Sequence, residues 1–166
     1  MRRVMVVGCS GAGKSTFSRR LGAALGLPVT HLDRLYWRPG WTPAPDAEFH
    51  AAQQEIVASD SWVIDGNYGS SMHLRLPRAD TIVFLDYPRR VCLRRVLMRT
   101  LREFGQDNQA PGCPERLDPE FGLYVWRWPK HHRERTVRRL AEQGAHARRI
   151  VLTRPGEAEE FLRRFG

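Results

Sequence analysis

The stretch "VMVVGCSGAGKSTF", residues 4–17, joins a short apolar run to a glycine-rich turn and then to a helix-like pattern. Residues 8–15 fill the spacing G-x-x-x-x-G-K-[ST] without a mismatch. Small residues in such a turn let successive backbone N–H groups point inward around a phosphate, and the following helix adds its positive N-terminal end. The stretch therefore predicts a site for the phosphates of a nucleoside triphosphate.

The side chains of the turn have separate predicted roles. Lys14 suits the β and γ phosphates as a compact charge, and the Ser15 hydroxyl can ligate Mg²⁺. The alternative, a purely structural glycine loop, is disfavoured because an apolar strand precedes the turn and an amphipathic helix follows it. We predict ATP and Mg²⁺ as cofactors, and phosphate contacts from Gly8, Ser10, Gly11, Ala12, Gly13, Lys14, Ser15 and Thr16.

Length and composition limit the class of protein. With 166 residues, 42% of them hydrophobic, the chain has room for one domain, residues 1–166. No run approaches the roughly 18 apolar residues of a membrane span, so we expect neither a span nor a signal peptide, and a cytoplasmic location. Three cysteines without a C-x-x-C pair argue against disulfides and a zinc site. The net charge of +9 indicates an anionic partner, although genome composition would also explain the many arginines.

Alternating strand-like and helix-like segments predict a three-layer α/β fold with a parallel sheet. Apolar runs predict strands at residues 3–8, 28–33, 62–65, 81–86 and 149–153. Helical patterns cover residues 14–25, 46–59, 89–104, 119–142 and 156–165, the fourth being two helices broken near Pro129. Residues 105–114, "GQDNQAPGCP", predict a mobile loop.

Two further stretches resemble the nucleoside monophosphate kinases. "WVIDGNY" is similar to the L-D-G turn of adenylate kinases, whose aspartate helps to hold the Mg²⁺ water shell, and that position is Asp65. "FLDYPRRVCLRRVLMR" is similar to their L-D-x-P followed by arginines that contact the nucleotide, which places this role on Arg95 and Arg99. Their four-residue separation puts both on one helix face. The alternative for Asp65 is a residue that ends a strand and caps the following turn.

Four blocks in order, "HLDRLYWRPGW", "WVIDGNY", "LRLPRADTIVFLDYP" and "APGCPERLDPEF", are similar to the FlaR-type topology modulation proteins, which are adenylate-kinase-like P-loop proteins. This resemblance covers nearly the whole chain. It implies a P-loop NTPase fold with a five-stranded parallel sheet in the order 2-3-1-4-5 and a helical lid. We place the acceptor-binding region at about residues 34–60 and the lid at about residues 103–135.

One departure from adenylate kinases concerns the acceptor. They follow D-G with F-P-R, whose arginine grips the acceptor phosphate, whereas this chain continues with "NYG", residues 67–69. Either Arg34, Arg75 or Arg78 replaces that arginine, or the acceptor is not AMP.

Candidate acceptor residues lie after the second and third predicted strands. Asp33 can orient or deprotonate an acceptor hydroxyl, or it is a helix N-cap. Aromatic residues interleaved with arginines suit a planar anionic acceptor, but a hydrophobic cluster would give the same pattern. Asn67 borders the acceptor or belongs to a plain turn. The predicted acceptor-binding residues are Asp33, Arg34, Tyr36, Trp37 and Asn67.

Further arginines come late in the chain. We expect catalytic lid residues among Arg127, Arg133 and Arg138, the alternative being a solvated basic helix. These three arginines, with Lys14 and Asp65, form the predicted catalytic set. The resemblance to adenylate kinases places Arg154 where the chain passes the adenine, so Arg154 is a predicted nucleotide-binding residue.

The predicted function is ATP-dependent phosphoryl transfer to a nucleotide or another small-molecule acceptor, in the manner of a nucleoside monophosphate kinase. The partners would be a nucleoside triphosphate and that acceptor. N-K-x-D and L-S-G-G-Q are both absent, which weighs against a GTPase and a transporter ATPase. Two alternatives stay open: a nucleic-acid-associated ATP-binding protein, which the dispersed basic residues do not favour, and a simple NTPase.

Overall fold

The computed structural model describes residues 1–165, and at its centre lies a sheet of five parallel strands. The strands are β1 Arg3–Gly8, β2 Val29–His31, β5 Trp62–Asp65, β6 Thr81–Leu85 and β7 Arg148–Leu152. They lie in the order β2-β5-β1-β6-β7, which is the predicted order 2-3-1-4-5. Every residue of β5 and β6 is buried, which explains the continuous apolar runs. The predicted α/β fold is confirmed.

The register of the strands brings their carboxyl ends to one edge. Val6 lies opposite Asp65, and Asp65 lies opposite His31. On the other side of β1, Gly8 lies opposite Leu85. Ligands of open parallel sheets bind outside this edge. The fold therefore places the glycine-rich turn and Asp65 together at the expected position of a ligand site.

Eight α-helices occur within residues 1–165. They are α1 Lys14–Leu25, α2 Leu32–Tyr36, α3 Asp46–Ala58, α4 Met72–Arg75, α5 Arg89–Arg102, α6 Pro119–Trp128, α7 Glu134–Gln143 and α8 Pro155–Leu162. Helix α1 packs on β1, β2, β5 and α8, whereas α5 packs on α6. A 3₁₀ turn, Leu76–Arg78, extends α4. No helix among these residues is long and apolar enough to cross a membrane.

The second predicted strand ends earlier than its apolar pattern indicates. Strand β2 stops at His31, so the prediction that Asp33 ends the strand is wrong. Asp33 lies in the first turn of α2, where a carboxylate interacts favourably with the positive end of the helix. A hairpin of β3 Trp37–Arg38 and β4 Thr42–Pro43 follows. Strands of two residues are too short to show a periodic pattern, which is why the sequence does not predict this hairpin.

The helical region at residues 119–142 is interrupted where the sequence predicts. Asp118 caps α6 by accepting a hydrogen bond from the Phe121 backbone N–H at 3.0 Å. A π-helical segment, Pro129–Arg133, then joins α6 to α7. Proline has no N–H to donate, so the regular hydrogen-bond ladder is broken at that point.

Residues 105–117 form a segment without helix or strand, here called the strap, which packs against the β3–β4 hairpin. Gly40 N–H donates to the Gly112 carbonyl at 2.8 Å, and Trp41 Nε1 donates to the Pro114 carbonyl at 3.0 Å. Cys113 is fully buried, and its Sγ donates to a hairpin carbonyl at 3.1 Å. The sequence predicts a mobile loop over residues 105–114, whereas the structure holds the strap by these contacts.

Candidate functional site

A cavity of about 1040 Å³ opens at the carboxyl edge of the sheet. Pockets for one small ligand typically occupy about 300–1,000 Å³, so this cavity lies at the upper end of that range. Of the residues predicted from the sequence, those that line it are Ser10, Gly11, Ala12, Gly13, Lys14, Ser15, Thr16, Asp33, Trp37, Asn67, Arg95 and Arg99.

The glycine-rich turn packs closely against β6 and α5. Gly8 is buried, and a Cβ there would lie 2.5 Å from the Leu85 carbonyl oxygen. Gly11 has a φ of 82°, and a Cβ there would overlap the Cys92 carbonyl oxygen. A side chain at either position would push the turn away from its neighbours. These glycines thus hold the turn at the cavity, although Gly8 itself is not one of the lining residues.

Two cations attach to the turn. Lys14 Nζ donates to the carbonyl oxygens of Gly8 and Cys9, both at 3.1 Å. An ammonium has three N–H donors, so one is left for a phosphate oxygen. Arg95 Nη1 donates to the Ala12 carbonyl at 3.0 Å. Both side chains line the cavity, so positive charge lies where a triphosphate would bind.

Asp65 joins the turn to β2. Asp65 is only 2% exposed. Its Oδ1 accepts a hydrogen bond from Ser15 Oγ at 3.3 Å, and its Oδ2 lies 2.5 Å from His31 Nδ1. Asp65 is not one of the lining residues, so it reaches the cavity through Ser15. Sequence reasoning missed His31. The sequence places His31 inside the predicted strand 28–33, and only the earlier end of β2 shows that it lies at the carboxyl edge.

The side chains near Ser15 fit a Mg²⁺ ion that arrives with nucleotide phosphates. Mg²⁺ prefers oxygen ligands and keeps several of its waters. Ser15 offers a hydroxyl oxygen at the cavity, and the Asp65 carboxylate lies directly behind it. Within residues 1–165, no group of three or more His, Cys, Asp or Glu side chains could hold a metal. This donor set suits an ion that is coordinated jointly by the protein and the nucleotide phosphates better than a metal held by protein side chains alone.

Asn67 and Arg75 hold the loop after β5 against the turn. Asn67 Nδ2 donates to the Gly8 carbonyl at 2.7 Å, and its Oδ1 accepts from Gly8 N–H at 3.0 Å. Arg75 is fully buried and donates to the carbonyls of Gly66 and Asn67 at 3.0 and 2.8 Å. Burial lowers the pKa of Arg75 to about 9, so the guanidinium stays charged at neutral pH. Arg75 supports the loop from behind.

None of the three arginines considered as replacements for the adenylate kinase arginine lines the cavity. The Arg75 guanidinium is hydrogen-bonded to carbonyls of the loop after β5, and Arg34 is exposed. Arg78 Nη2 donates to the Ala58 carbonyl at 3.3 Å. The cavity therefore lacks an arginine from these positions for gripping an acceptor phosphate.

Asp33 forms a second polar site in the cavity. Its Oδ1 accepts a hydrogen bond from the Tyr68 hydroxyl at 2.5 Å. Burial raises the pKa of Tyr68, and the Asp33 carboxylate raises it further, so the phenol stays protonated as the donor. Trp37 and Trp41 line the same cavity, with their ring centroids 5.6 Å apart.

The sequence leaves two interpretations of the aromatic residues, acceptor contact or hydrophobic cluster, and neighbouring residues differ in which one applies. Tyr36 packs on Phe49 and Tyr68, with ring centroids 5.0 and 4.8 Å apart, and does not line the cavity. It belongs to a hydrophobic cluster. Trp37 and Trp41 line the cavity and can contact a ligand.

Four of the late arginines lie away from the cavity. Arg133 binds Asp86 through Nε and Nη2, at 2.8 and 2.6 Å. Arg127 and Arg138 are exposed. Arg154 pairs with Glu157 at 3.0 Å and is 77% exposed. Its neighbours in α8 line the cavity instead, namely Pro155, Ala158 and Leu162.

Helix α7 supplies different arginines from those predicted. Arg135 and Arg139 line the cavity, and their four-residue spacing puts them on one helix face. His132, one turn earlier, also lines it, and burial together with Arg135 lowers its pKa. The helical spacing could have grouped Arg135 with Arg139, but only the packing of α7 shows which face meets the cavity.

The strap is anchored to α5 by a buried carboxylate. Glu115 is 5% exposed, and its Oε1 accepts from Thr100 Oγ1 at 2.8 Å and from Arg99 Nη2 at 3.1 Å. Because the strap also holds the β3–β4 hairpin, it links Arg99 to the wall that carries Trp37 and Trp41. Of the predicted lid region, the strap and α6 line the cavity, whereas α3 of the predicted acceptor region does not.

The fold is shared with known kinases. A shikimate kinase from Acinetobacter baumannii in complex with shikimate has a TM-score of 0.62 at 18% identity, over 99% of this chain and 90% of that one. A putative kinase from Chloroflexus aurantiacus has a TM-score of 0.57 at 16% identity, over 96% and 94%. A gluconokinase from Sinorhizobium meliloti has a TM-score of 0.55 at 18% identity, over 98% and 92%.

At these identities the likeness is one of fold. It supports the P-loop kinase fold implied by the sequence, and it does not single out the adenylate-kinase-like or FlaR-type group. No family model matches the chain. No curated protein matches it either.

Proposed function

We propose that this protein transfers the γ-phosphoryl group of ATP to a hydroxyl group of a small-molecule acceptor. One observation carries the proposal: the glycine-rich turn, with Lys14 and Ser15, and the Asp33–Tyr68 pair lie in the same cavity. The fold neighbours named shikimate kinase and gluconokinase support an acceptor of this kind.

The turn would bind and neutralise the triphosphate. Its backbone N–H groups and Lys14 would stabilise the charge that develops on the transferring group. Ser15 would ligate Mg²⁺, with Asp65 holding the water shell; the bound ion supplies charge neutralisation at the β and γ phosphates. Arg95, already bonded to the turn, would add a further positive charge beside them.

Asp33 would orient the acceptor hydroxyl and accept its proton. Tyr68 occupies Oδ1 of this carboxylate, and Oδ2 has no hydrogen-bond partner within residues 1–165. One carboxylate oxygen is therefore held in place while the other can receive the acceptor hydroxyl. Trp37 and Trp41 would form the wall against which the acceptor packs.

A hydroxyl acceptor fits this site better than the phosphate of a nucleoside monophosphate. A carboxylate beside the acceptor repels a phosphate but accepts a proton from a hydroxyl. None of Arg34, Arg75 and Arg78 lines the cavity, so the grip on an acceptor phosphate known from the F-P-R motif has no counterpart at these positions.

The test is a coupled assay of ADP release with ATP and Mg²⁺ across sugars, hydroxy acids, nucleosides and nucleotides. We expect at least one hydroxyl compound to stimulate ADP release, and Lys14→Ala to abolish that stimulation. ADP release that no acceptor changes would instead indicate a simple NTPase and would overturn the proposal.

A nucleic-acid role is the second candidate, because the chain carries a net charge of +9 and resembles the FlaR-type topology modulation proteins in four blocks. Binding to duplex DNA should then weaken steeply with salt and persist in Lys14→Ala. Exposed arginines occur on several helices rather than on one face, for example Arg19 on α1, Arg94 on α5 and Arg138 on α7, which favours the kinase proposal.

A further inference from the structure

The positively charged side chains that line the cavity differ in their partners within the protein. Arg20 pairs with Glu159, Arg99 with Glu115, and Arg116 with Asp118. Lys14 and Arg95 donate to carbonyls of the turn. Within residues 1–165, Arg135 and Arg139 have neither an ion-pair nor a side-chain hydrogen-bond partner, although both line the cavity. These two side chains are the guanidinium groups left for a ligand.

Arg139 lies against Gly69, the residue that follows Tyr68, the hydrogen-bond partner of Asp33. Arg139 is half-buried, and a Cβ on Gly69 would overlap its Nη1 and lie 3.3 Å from its Cζ. Gly69 directly follows Tyr68, whose hydroxyl binds Asp33 at 2.5 Å. A guanidinium without a protein partner and a carboxylate with one unused oxygen therefore line the same cavity and are linked through residues 68–69.

A half-buried guanidinium without a counterion is unfavourable, because burial removes part of its hydration. An anion from a ligand would offset that cost, and the planar fork of arginine binds a carboxylate or phosphate through two parallel hydrogen bonds. Arg135, one helical turn before Arg139, adds a second positive charge on the same side of α7.

We infer that the acceptor is an anionic hydroxyl compound, either a hydroxy carboxylate or a phosphorylated polyol. Its anionic group binds Arg139, with Arg135 nearby, and its hydroxyl lies on Asp33. The inference rests on the proposed function and specifies its substrate class. In the transfer, the acceptor O–H loses its proton to Asp33, the acceptor oxygen bonds to the γ phosphorus, and the bond from that phosphorus to the β–γ bridging oxygen breaks, so ADP leaves with the electron pair.

The first arm of the test compares matched pairs of acceptors in the ADP-release assay: gluconate with glucose, and glycerol 3-phosphate with glycerol. We expect the charged member of at least one pair to have a kcat/KM at least about 10-fold higher, and that pair identifies carboxylate or phosphate as the anion. Arg139→Ala should remove the preference, and Arg139→Lys should restore part of it. Neutral members that perform equally well would overturn the inference.

Gly69→Ala is a second variant that leaves the net charge unchanged. Its methyl group would displace the Arg139 guanidinium, so the preference for charged acceptors should fall as in Arg139→Ala, by a smaller factor. Arg19→Ala, on an exposed position of α1, removes one positive charge elsewhere and should leave the preference intact. A loss of preference in Arg19→Ala as large as in Arg139→Ala would show a general charge effect and would overturn the inference.

The second arm does not depend on turnover. With the turn saturated by a non-hydrolysable ATP analogue and Mg²⁺, acetate and inorganic phosphate are titrated calorimetrically into the wild type and Arg139→Ala. We expect at least one anion to bind at least about 10-fold more weakly to the variant. If this difference appears without acceptor turnover, the anion site stands and the kinase proposal fails; if neither anion shows it, the anion site fails, whatever the turnover.

Discussion

The two sides of the cavity are built in different ways. The phosphate side is built around the consecutive residues 8–16, whose glycines pack directly against β6 and α5. The acceptor side brings together Asp33, the 68–69 turn, the β3–β4 hairpin and Arg139, which are far apart in the chain. A change on the phosphate side should therefore act on one local structure. A change on the acceptor side should act through the packing of several elements.

The charged side chains of the two sides also differ in whether they have partners within the protein. On the phosphate side, Lys14 and Arg95 are held by carbonyls of the turn itself. On the acceptor side, Arg139 has no protein partner within residues 1–165, and Asp33 has one oxygen unused. The phosphate side is ordered before a ligand binds, whereas the acceptor side leaves donors and acceptors for the ligand to complete.

The largest effect is expected from Lys14→Ala. Removing a charge that stabilises the transferring phosphoryl group should lower kcat by about 1,000-fold, a loss comparable to that of one key donor in other active sites. ADP release with a saturating acceptor measures it. Lys130→Ala removes the other lysine of the chain, on an exposed position, and should keep full activity. Equal activity in both variants would show that the turn does not hold the phosphates.

Gly11→Ala tests the packing of the phosphate side. The methyl group would overlap the Cys92 carbonyl at a φ of 82°, so the free energy of unfolding should fall by about 3 kcal/mol. Urea denaturation gives this value. Gly26→Ala is the matched control, since Gly26 also has a positive φ, 65°, but no atom lies within 4 Å of its Cβ position. It should cost only about 1 kcal/mol, and equal losses would contradict the close packing.

Asp33→Asn tests the acceptor side separately. The amide can still accept from Tyr68 but takes up no proton from a hydroxyl, so kcat should fall by about 100-fold. Calorimetry should show unchanged binding of the ATP analogue. Asp46→Asn, on an exposed position of α3, serves as the control. Weaker nucleotide binding in Asp33→Asn would place this carboxylate on the phosphate side instead.

The smallest effect is expected from Trp41→Phe, which removes the hydrogen bond from the hairpin to the Pro114 carbonyl of the strap. One such bond contributes about 1 kcal/mol, so KM for the acceptor should rise by up to about 5-fold while KM for ATP stays constant. Steady-state kinetics with each substrate varied in turn measures both. A change in KM for ATP alone would show that the hairpin serves the nucleotide.

The late arginines illustrate the limit of motif reasoning. Sequence patterns mark residues 119–142 as helical and basic, and the break near Pro129 is where it was predicted. Nevertheless, Arg127, Arg133 and Arg138 lie outside the cavity lining, while Arg135 and Arg139 belong to it. Which face of α7 meets the cavity depends on the π-helical segment, since five residues in a wider turn rotate everything after them.

The sequence by itself determined the sheet and the phosphate turn. Continuous apolar runs specify strands buried on both faces, and the glycine spacing specifies a turn whose backbone donors are close in the chain. Only the tertiary structure decided the acceptor side, because helix orientation and loop packing bring Asp33, Tyr68, Glu115 and Arg139 to the lining of one cavity. No local sequence periodicity predicts this arrangement, because it depends on how separate helices and loops pack on the sheet.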